Sequence, residues 1–433
     1  MTAGLVVTLI FVFGILTGMP IAFVLIISSF SGLVMLRGFD VALSALSTMP
    51  YGKSTDIALS VIPLFILMGY LASQAGISEK AYQIAYRFVG HLRAGLAMAT
   101  VFACAGFAAT SGSSVATSAA VGKIAFAEMK RFRYNDAISA GTIASAGLLG
   151  IMIPPSIMLV VYGIVTQTDI GRLLLAGILP GILTALVFCI GLYVLALIRP
   201  DLMPVANERF SWRDRMVGLK DGSGILILFT VIIGGLYSGL FTVNEAAGVG
   251  AATAFALLLL KRGFDWRALL IGGKEAVAST AMIFLILIGA GLFGQYVALS
   301  GLAGTVTKLI AGSDLPRYLI LVLILLAYIP LGMFLEPISM CLITLPIVFP
   351  AIKALGFDPV WFGVIIVKMS ELANITPPLG VNVFVIKSIR PEIQLSTVFR
   401  GASLFMLLEI ITLVILVIFP EISLFIPNLM AAP

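Results

Sequence analysis

The stretch Gly147-Leu-Leu-Gly-Ile-Met-Ile-Pro-Pro-Ser156 places two consecutive prolines inside a long apolar run. A proline removes one helical hydrogen bond and clashes with the preceding turn, so a helix through this stretch is predicted to unwind. A second such stretch, Asn374-Ile-Thr-Pro-Pro-Leu-Gly-Val-Asn382, follows 223 residues later. One proline kink in an apolar helix is weak evidence, because such kinks are tolerated in membranes. Two breaks in matching contexts indicate a chain built from two related halves.

The composition identifies the solvent that surrounds these runs. Of 433 residues, 61% are hydrophobic and 11% are charged, against roughly a quarter charged in soluble domains. Apolar runs recur along the chain at lengths near the 20 or so residues that cross a hydrocarbon core. The sequence therefore predicts an all-α integral membrane protein in contact with lipid and excludes a single soluble domain. The net charge of +6 is spread over short loops, so no nucleic-acid partner is expected.

Two apolar pairs, at residues 95–128 and 316–352, differ from the other runs. In the first pair, the arms Gly95–Ala109 and Val115–Ala127 have 15 and 13 residues, or roughly 20 Å each, too short for a core of about 30 Å. Basic residues flank both ends, so both ends lie on one side, and the pairs are predicted to be re-entrant hairpins. About ten full crossings are predicted at residues 4–18, 20–36, 57–74, 136–166, 170–198, 224–238, 241–260, 277–298, 359–388 and 393–427.

An internal repeat supports this arrangement. Residues 14–18, Gly-Ile-Leu-Thr-Gly, align with residues 235–239, Gly-Leu-Tyr-Ser-Gly, and the Arg-Gly-Phe-Asp of 37–40 recurs at 262–265. The shift of 223 residues also places Ser113 on Glu336. Each half then holds five crossings and one hairpin, and because five is odd the second half must run the opposite way. Inverted repeats of this kind are the plan of many secondary transporters.

Basic residues predict the orientation. With the N-terminus outside, the inner loops hold 17 Lys and Arg and the outer loops hold six, so both termini are predicted to be periplasmic. The inner set is Lys80, Arg87, Arg93, Lys130, Arg131, Arg133, Arg199, Arg209, Arg213, Arg215, Lys220, Lys261, Arg262, Arg267, Lys274, Lys387 and Arg390. The outer set is Arg37, Lys53, Arg172, Lys308, Arg317 and Lys353.

The first hairpin tip, Thr110-Ser-Gly-Ser-Ser-Val-Ala-Thr117, carries polar residues at membrane depth. Gly and Ser end one half-helix, and a Ser side chain can cap the next by accepting its free amide hydrogens. The positive N-terminus of that second half-helix would favour a carboxylate, and the carbonyls that end the first would favour a cation. The alternative is a polar kink packed between helices.

The second tip contains Glu336, which precedes a proline suited to the first turn of a helix. Three roles stay open for this carboxylate: a sodium ligand, a proton carrier or a helix cap. At the proline breaks, unwound carbonyls together with Ser156, Asn374 or Thr376 offer oxygen ligands to a hard cation.

The remaining polar and titratable residues are interpreted as structural. Lys368 and Glu371 are three residues apart and are predicted to form an ion pair on one helix face. Glu245, Glu409 and Glu421 are predicted to lie at interfaces near span ends. Residues 78–92 and 264–275 mix charged and apolar residues and predict either surface helices or ordinary connecting helices. The cysteines are isolated within apolar segments and are predicted to be packing residues: Cys104, Cys189 and Cys341.

Several motifs together resemble the large membrane subunit of tripartite ATP-independent periplasmic (TRAP) transporters, of the DctM or SiaM type. They are the stretch from Gly234 to Gly248, the tip from Gly112 to Gly122, and the two Pro-Pro segments. The resemblance covers essentially the whole chain. It implies sodium-driven symport of an organic acid, such as a C4-dicarboxylate or a sialic or other sugar acid, across a bacterial inner membrane.

The resemblance also implies an elevator motion and partners. The partners are a periplasmic substrate-binding protein and a small four-helix membrane subunit, expected as a separate chain because none is fused before Met1. Two or more sodium ions are expected as cofactors, with no organic cofactor and no enzymatic activity. The predicted sodium ligands are Ser111, Gly112, Ser113, Gly147, Pro154, Glu336, Asn374, Thr376 and Pro377. The predicted substrate contacts are Ser113, Ser114, Thr117, Ser156 and Asn382.

The resemblance further implies a scaffold and a moving transport domain. Residues 1–74 and 224–298 form the scaffold, 75–94 a surface arm, and 199–223 a cytoplasmic loop. The transport domain comprises residues 95–198 and 299–427, each with one hairpin. Alternatives are a stand-alone sodium- or proton-coupled carboxylate carrier, a channel, which needs a continuous polar pore, and a membrane enzyme, which needs a catalytic set that the sequence lacks.

Overall fold

The computed structural model describes residues 2–206, 208 and 210–430. Every regular element within these ranges is helical, which confirms the predicted all-α class. Arg209, counted above among the inner bases, lies outside the described residues.

The first half contains twelve α-helices and one 3-10 turn at Ile57–Ser60, and a linker follows it. The helices are α1 (Thr2–Leu16), α2 (Ile21–Arg37), α3 (Phe39–Ser54), α4 (Val61–Gln74), α5 (Ile77–Val89), α6 (Gly95–Ser111), α7 (Ser114–Arg131), α8 (Asp136–Ala146), α9 (Leu149–Met152), α10 (Ile157–Thr166), α11 (Ile170–Ala176) and α12 (Ile178–Ile198). The linker contains a 3-10 turn at Pro200–Leu202 and α13 (Trp212–Asp221).

The second half repeats this order. Its helices are α14 (Ser223–Phe229), α15 (Gly235–Tyr237) after a π-helical stretch at Thr230–Gly234, α16 (Val243–Arg262), α17 (Trp266–Ser300), α18 (Leu302–Ala311), α19 (Arg317–Phe334), α20 (Pro337–Ala354), α21 (Pro359–Ile375), α22 (Val381–Ile389), α23 (Leu395–Ile418) and α24 (Glu421–Met430). The pair α6–α7 corresponds to α19–α20, and the broken crossing α8–α10 corresponds to α21–α22. This correspondence of elements is what the predicted internal repeat requires.

Length and apolar composition identify the helices able to cross a membrane. Seven helices within the described residues are long and apolar enough, or up to nine if each of two bent pairs is one span. The predicted crossings at 4–18 and 20–36 fall on shorter apolar helices, Ala3–Leu16 and Ile21–Arg37. The multi-pass membrane architecture is therefore confirmed.

The arms of the first hairpin are longer than predicted. Helices α6 and α7 have 17 and 18 residues, so each is about 26 Å long, close to the thickness of the core. The predicted arms stopped before the polar residues Thr110 and Glu128, but α7 continues through Glu128 to Arg131. Lys130 and Arg131 in its last turn complement the negative end of the helix dipole.

Three further boundaries differ from the prediction. The stretch 264–275 is not a separate helix, because α17 runs unbroken from Trp266 to Ser300. The equivalent segment of the first half is divided into α3 and α4, with Asp56 capping the turn between them. The predicted crossing 393–427 ends at Ile418, and α24 starts anew after Pro420. Helices α3 and α18 are not predicted by the sequence analysis at all.

Small residues let helices approach closely in the core. Helix α8 crosses α23 where Gly141 meets Gly401, and a Cβ atom added to Gly141 would lie 2.2 Å from the Gly401 carbonyl carbon. Such glycine contacts drive helix association in membranes, where burial of apolar surface does not. The contact fixes the first broken crossing against the last long span.

Candidate functional site

The first hairpin tip is a closed turn between two half-helices. Gly112, with φ of +62°, ends α6, and Ser113 caps α7 by accepting a hydrogen bond from the Ala116 amide at 3.3 Å. The hydroxyls of Ser111 and Thr117 are 2.7 Å apart, so they join the two arms. The capping role predicted for the tip serines is thus filled by Ser113, and α7 presents its positive N-terminus at the tip.

The first tip lies directly on the first proline break. A Cβ atom added to Gly112 would lie 2.6 Å from the Pro155 carbonyl oxygen. One added to Gly150 would lie 2.5 Å from the Ser113 carbonyl oxygen and 2.7 Å from the Thr117 hydroxyl. The backbones of the hairpin tip and of the broken crossing therefore touch, and only glycine fits at these two contacts.

The first break interrupts the helix as the prolines predict. Helix α9 ends at Met152, α10 begins at Ile157, and the two helical segments are bent by 42°. Ser156 is fully buried, donates to the Ile151 carbonyl at 2.5 Å and accepts from the Leu159 amide at 3.2 Å. Its hydroxyl thus holds the two sides of the break together.

The second break has an equivalent geometry. Helix α21 ends at Ile375 and α22 begins at Val381. Thr376 is buried and donates to the Leu372 carbonyl at 2.7 Å, so only its oxygen lone pairs are left for another ligand. The amide nitrogen of buried Asn374 has no hydrogen-bond partner among the described residues.

Asn382 connects the second break to the first hairpin. Its side-chain amide donates to the Ala144 carbonyl at 2.9 Å and to the Ser118 hydroxyl at 3.2 Å, and its own Oδ1 accepts no hydrogen bond. The backbone of Gly147 packs against Ser118, since a Cβ atom added to Gly147 would be 1.8 Å from Ser118 Oγ. The first hairpin and both breaks therefore form one cluster.

Glu336 caps the second hairpin arm. Its carboxylate accepts from the Ser339 amide at 2.9 Å, from the Ser339 hydroxyl at 2.7 Å and from the Ile338 amide at 3.3 Å. It occupies the same position in its half as Ser113 does in the first, as the repeat predicts. The adjoining arm packs on α21, because a Cβ atom added to Gly332 would lie 2.2 Å from Ala373 Cβ.

The structure brings most of the predicted site residues together in one cluster. Glu336 is the exception. The hydrogen bonds among the described residues connect Ser111, Ser113, Thr117 and Asn382 to one another or to their neighbours in the cluster, but none connects Glu336 to the first tip. No group of three His, Cys, Asp or Glu residues in the described part of the chain could hold a metal ion. A cation here would depend on carbonyl and hydroxyl oxygens, the ligands that hard cations take.

Two features escaped the sequence analysis. Ser118 lies one residue beyond the tip at residues 110–117, and its contact to Asn382 spans 264 residues. Glu409 was predicted to be interfacial, but it is fully buried and ion-paired with Lys368, so that prediction is wrong. Its position near the middle of the 24-residue α23 was the available signal.

Comparisons with known proteins identify the family to which the chain is similar. The family described as "Tripartite ATP-independent periplasmic transporter, DctM component" matches residues 7–422. The chain is 36% identical to the C4-dicarboxylate TRAP transporter large permease protein DctM of Pseudomonas aeruginosa, over 87% of this chain and 88% of the relative. It is 31% identical to the sialic acid TRAP transporter large permease protein SiaM of Vibrio cholerae, over 95% of each chain.

A solved structure shares the fold. The YdaH transporter of Alcanivorax borkumensis, described as having an unusual topology, superposes with a TM-score of 0.51 and 18% identity, over 90% of each chain. At this identity the likeness concerns the fold alone. The family match and the sequence relatives carry the assignment: the chain belongs to the DctM-component family of tripartite ATP-independent periplasmic transporters.

Proposed function

We propose that this chain carries a small organic acid into the cell together with sodium, after a periplasmic binding protein delivers the acid. The observation that carries the proposal is the cluster formed by the first hairpin tip and both proline breaks. It brings together helix N-termini, unwound backbone and buried polar side chains, which are the features of substrate and ion sites in secondary transporters.

The substrate class follows from the electrostatics of the cluster. Ser113 and Ser156 are the N-caps of α7 and α10 beside the tip, and each helix N-terminus favours an anion. We therefore propose a carboxylate ligand, a C4-dicarboxylate or a sialic or other sugar acid, contacting residues from the set Ser113, Ser114, Thr117, Ser156 and Asn382.

The sodium sites are proposed at the two tips and two breaks, with two or more ions. The supporting observation is that oxygens, rather than thiols or imidazoles, are the ligands available there. Thr376 is buried, and the lone pairs of its Oγ1 accept no hydrogen bond from the described residues. The proposed ligand positions are Ser111, Gly112, Ser113, Gly147, Pro154, Glu336, Asn374, Thr376 and Pro377.

An elevator motion is proposed for residues 95–198 and 299–427 against the scaffold. The cross-links within the cluster support a rigid moving body, because the Asn382 amide bridges elements of both halves. The proposed body meets the scaffold at the hairpin tip. Gly69 of α4 packs on the tip backbone, and a Cβ atom added to it would lie 3.0 Å from Ser111 Cα.

The partners proposed are a small four-helix membrane subunit and the binding protein, in a bacterial inner membrane with both termini periplasmic. Uptake of a radiolabelled acid into proteoliposomes tests the proposal, with the small subunit present. Uptake is expected only with an inward sodium gradient and added binding protein. Sodium-dependent uptake without the binding protein would instead identify a stand-alone carrier, and uptake without a sodium gradient would refute sodium coupling.

A further inference from the structure

A buried cluster of charged side chains lies apart from the tips and breaks. The ammonium group of Lys368 is 2.6 Å from Glu371 Oε2 and is also ion-paired with Glu409 Oε2. All three side chains are 0% exposed. The cluster joins α21 to α23 within the body proposed to move, and nothing in the proposed sodium and substrate sites uses it.

The charges of the cluster do not balance when every group is ionised. One ammonium and two carboxylates leave one excess negative charge away from water. No other charged group among the described residues faces the cluster: α21 contributes Lys368 and Glu371, α23 contributes Glu409, and α12 contributes only the Thr184 hydroxyl. An uncompensated charge at membrane depth is strongly unfavourable, so the cluster requires one further positive charge.

The hydrogen bonds show the same shortage. The ammonium of Lys368 donates hydrogen bonds to Glu371 Oε2 and to the Thr184 hydroxyl at 2.8 Å, and its contact with Glu409 Oε2 is an ion pair without hydrogen-bond geometry. The Thr184 hydroxyl in turn donates to the Pro180 carbonyl at 2.8 Å. Glu371 Oε1 and both carboxylate oxygens of Glu409 accept no hydrogen bond from the described residues. The cluster therefore lacks at least one donor as well as one positive charge.

We propose that one proton is bound by the carboxyl pair Glu371 and Glu409, so that the cluster with Lys368 is neutral. One proton supplies both the missing positive charge and the missing donor, because protonation removes the excess negative charge and turns one carboxylate oxygen into a donor. A metal cation is a less favourable source of positive charge, since it would have to approach both carboxylates beside a full ammonium charge. A neutral cluster also lets the proposed moving body change depth without carrying a buried net charge.

Infrared spectroscopy of the full-length chain in lipid nanodiscs tests this proposal without any transport step. A Glu336→Gln background removes the other carboxyl at membrane depth. At pH 7 we expect the C=O stretching band of a protonated carboxyl, which shifts in D2O and persists with or without sodium. Either Glu409→Gln or Glu371→Gln is expected to abolish the band, because one ammonium and one carboxylate remain. The exposed Glu245→Gln is the matched control and should leave the band unchanged.

Three results would overturn the proposal. The first is the absence of the band at pH 7 in the Glu336→Gln background, whose cluster residues are unchanged. This result does not depend on whether the cluster variants fold. The second is a band that survives in both Glu409→Gln and Glu371→Gln. The third is a band that disappears when sodium is added, since the cluster would then hold a metal cation. None of these results bears on the proposed uptake of organic acids, which the proteoliposome experiment tests separately.

Discussion

At the scale of single residues, the cluster separates structural from ligand-binding roles. Asn382 is fully buried and bridges Ser118 and the Ala144 carbonyl, whereas the amide nitrogen of Asn374 contacts no acceptor. A buried donor that is already satisfied stabilises the fold, and an unsatisfied one is costly unless a ligand completes it. The two asparagines are therefore expected to respond differently to truncation.

Asn382→Ala is expected to reduce the free energy of unfolding by about 2–3 kcal/mol, since it removes two buried hydrogen bonds and orphans a carbonyl. Asn374→Ala is the matched control, because it removes an unpartnered amide, and its stability loss should be smaller while uptake still falls. Thermal unfolding of the two variants in detergent measures the difference. Equal melting temperatures would contradict the bridging role of Asn382.

Ser113→Ala and Thr376→Ala are expected to weaken the dependence of uptake on sodium. Each change removes a hydroxyl at a helix end beside unwound backbone, and a ligand worth about 1.4 kcal/mol corresponds to a tenfold higher half-saturating sodium concentration. Sodium titrations of uptake in proteoliposomes give the value, with membrane insertion checked in parallel. Identical titrations for both variants and the unmodified chain would remove these residues from the sodium sites.

At the scale of elements, the sequence predicts where helices are interrupted better than where they continue unbroken. The paired prolines identify both broken crossings, and the polar tip identifies the first hairpin, because each signal is local. The predicted crossings did not separate α17 from the divided pair α3 and α4, although the first-half segment carries Pro50 and Pro63 and the stretch Trp266–Ser300 has no proline. Nor does it show that Ser118 meets Asn382, because packing between distant segments creates that contact.

The crossing of α8 and α23 is a test at this scale. Gly141→Ala would force a methyl group into the backbone of Gly401, at a cost of about 1–3 kcal/mol. Gly248→Ala in α16 is the matched control, since nothing lies within 4 Å of an added Cβ atom there. We expect a lower melting temperature only for Gly141→Ala. A loss of the same size in Gly248→Ala would show that the close approach is not its cause.

At the scale of the whole molecule, the central claim is that one rigid body moves past a scaffold. The body is held by contacts between both halves, such as that of Asn382 with Ser118. The scaffold has its own close contacts, including that of Gly250 in α16 with Met68 in α4. The contacts between the two units include that of Gly69 with the backbone of Ser111. The division into two units is what the resemblance to TRAP transporters implies, and this contact required the structure.

A cross-link between the scaffold and the hairpin tests the claim most directly. Phe102 of α6 and Leu226 of α14 line one cavity, and neither belongs to the proposed ligand sites. In the Phe102→Cys, Leu226→Cys variant, uptake measured before treatment with a bis-maleimide is the reference, and cross-linking is expected to abolish it because the link ties the moving body to the scaffold. The same reagent on Phe102→Cys, Gly106→Cys, with both positions on α6, is the matched control and should leave uptake unchanged. Undiminished uptake with the Phe102–Leu226 cross-link fully formed would contradict the motion.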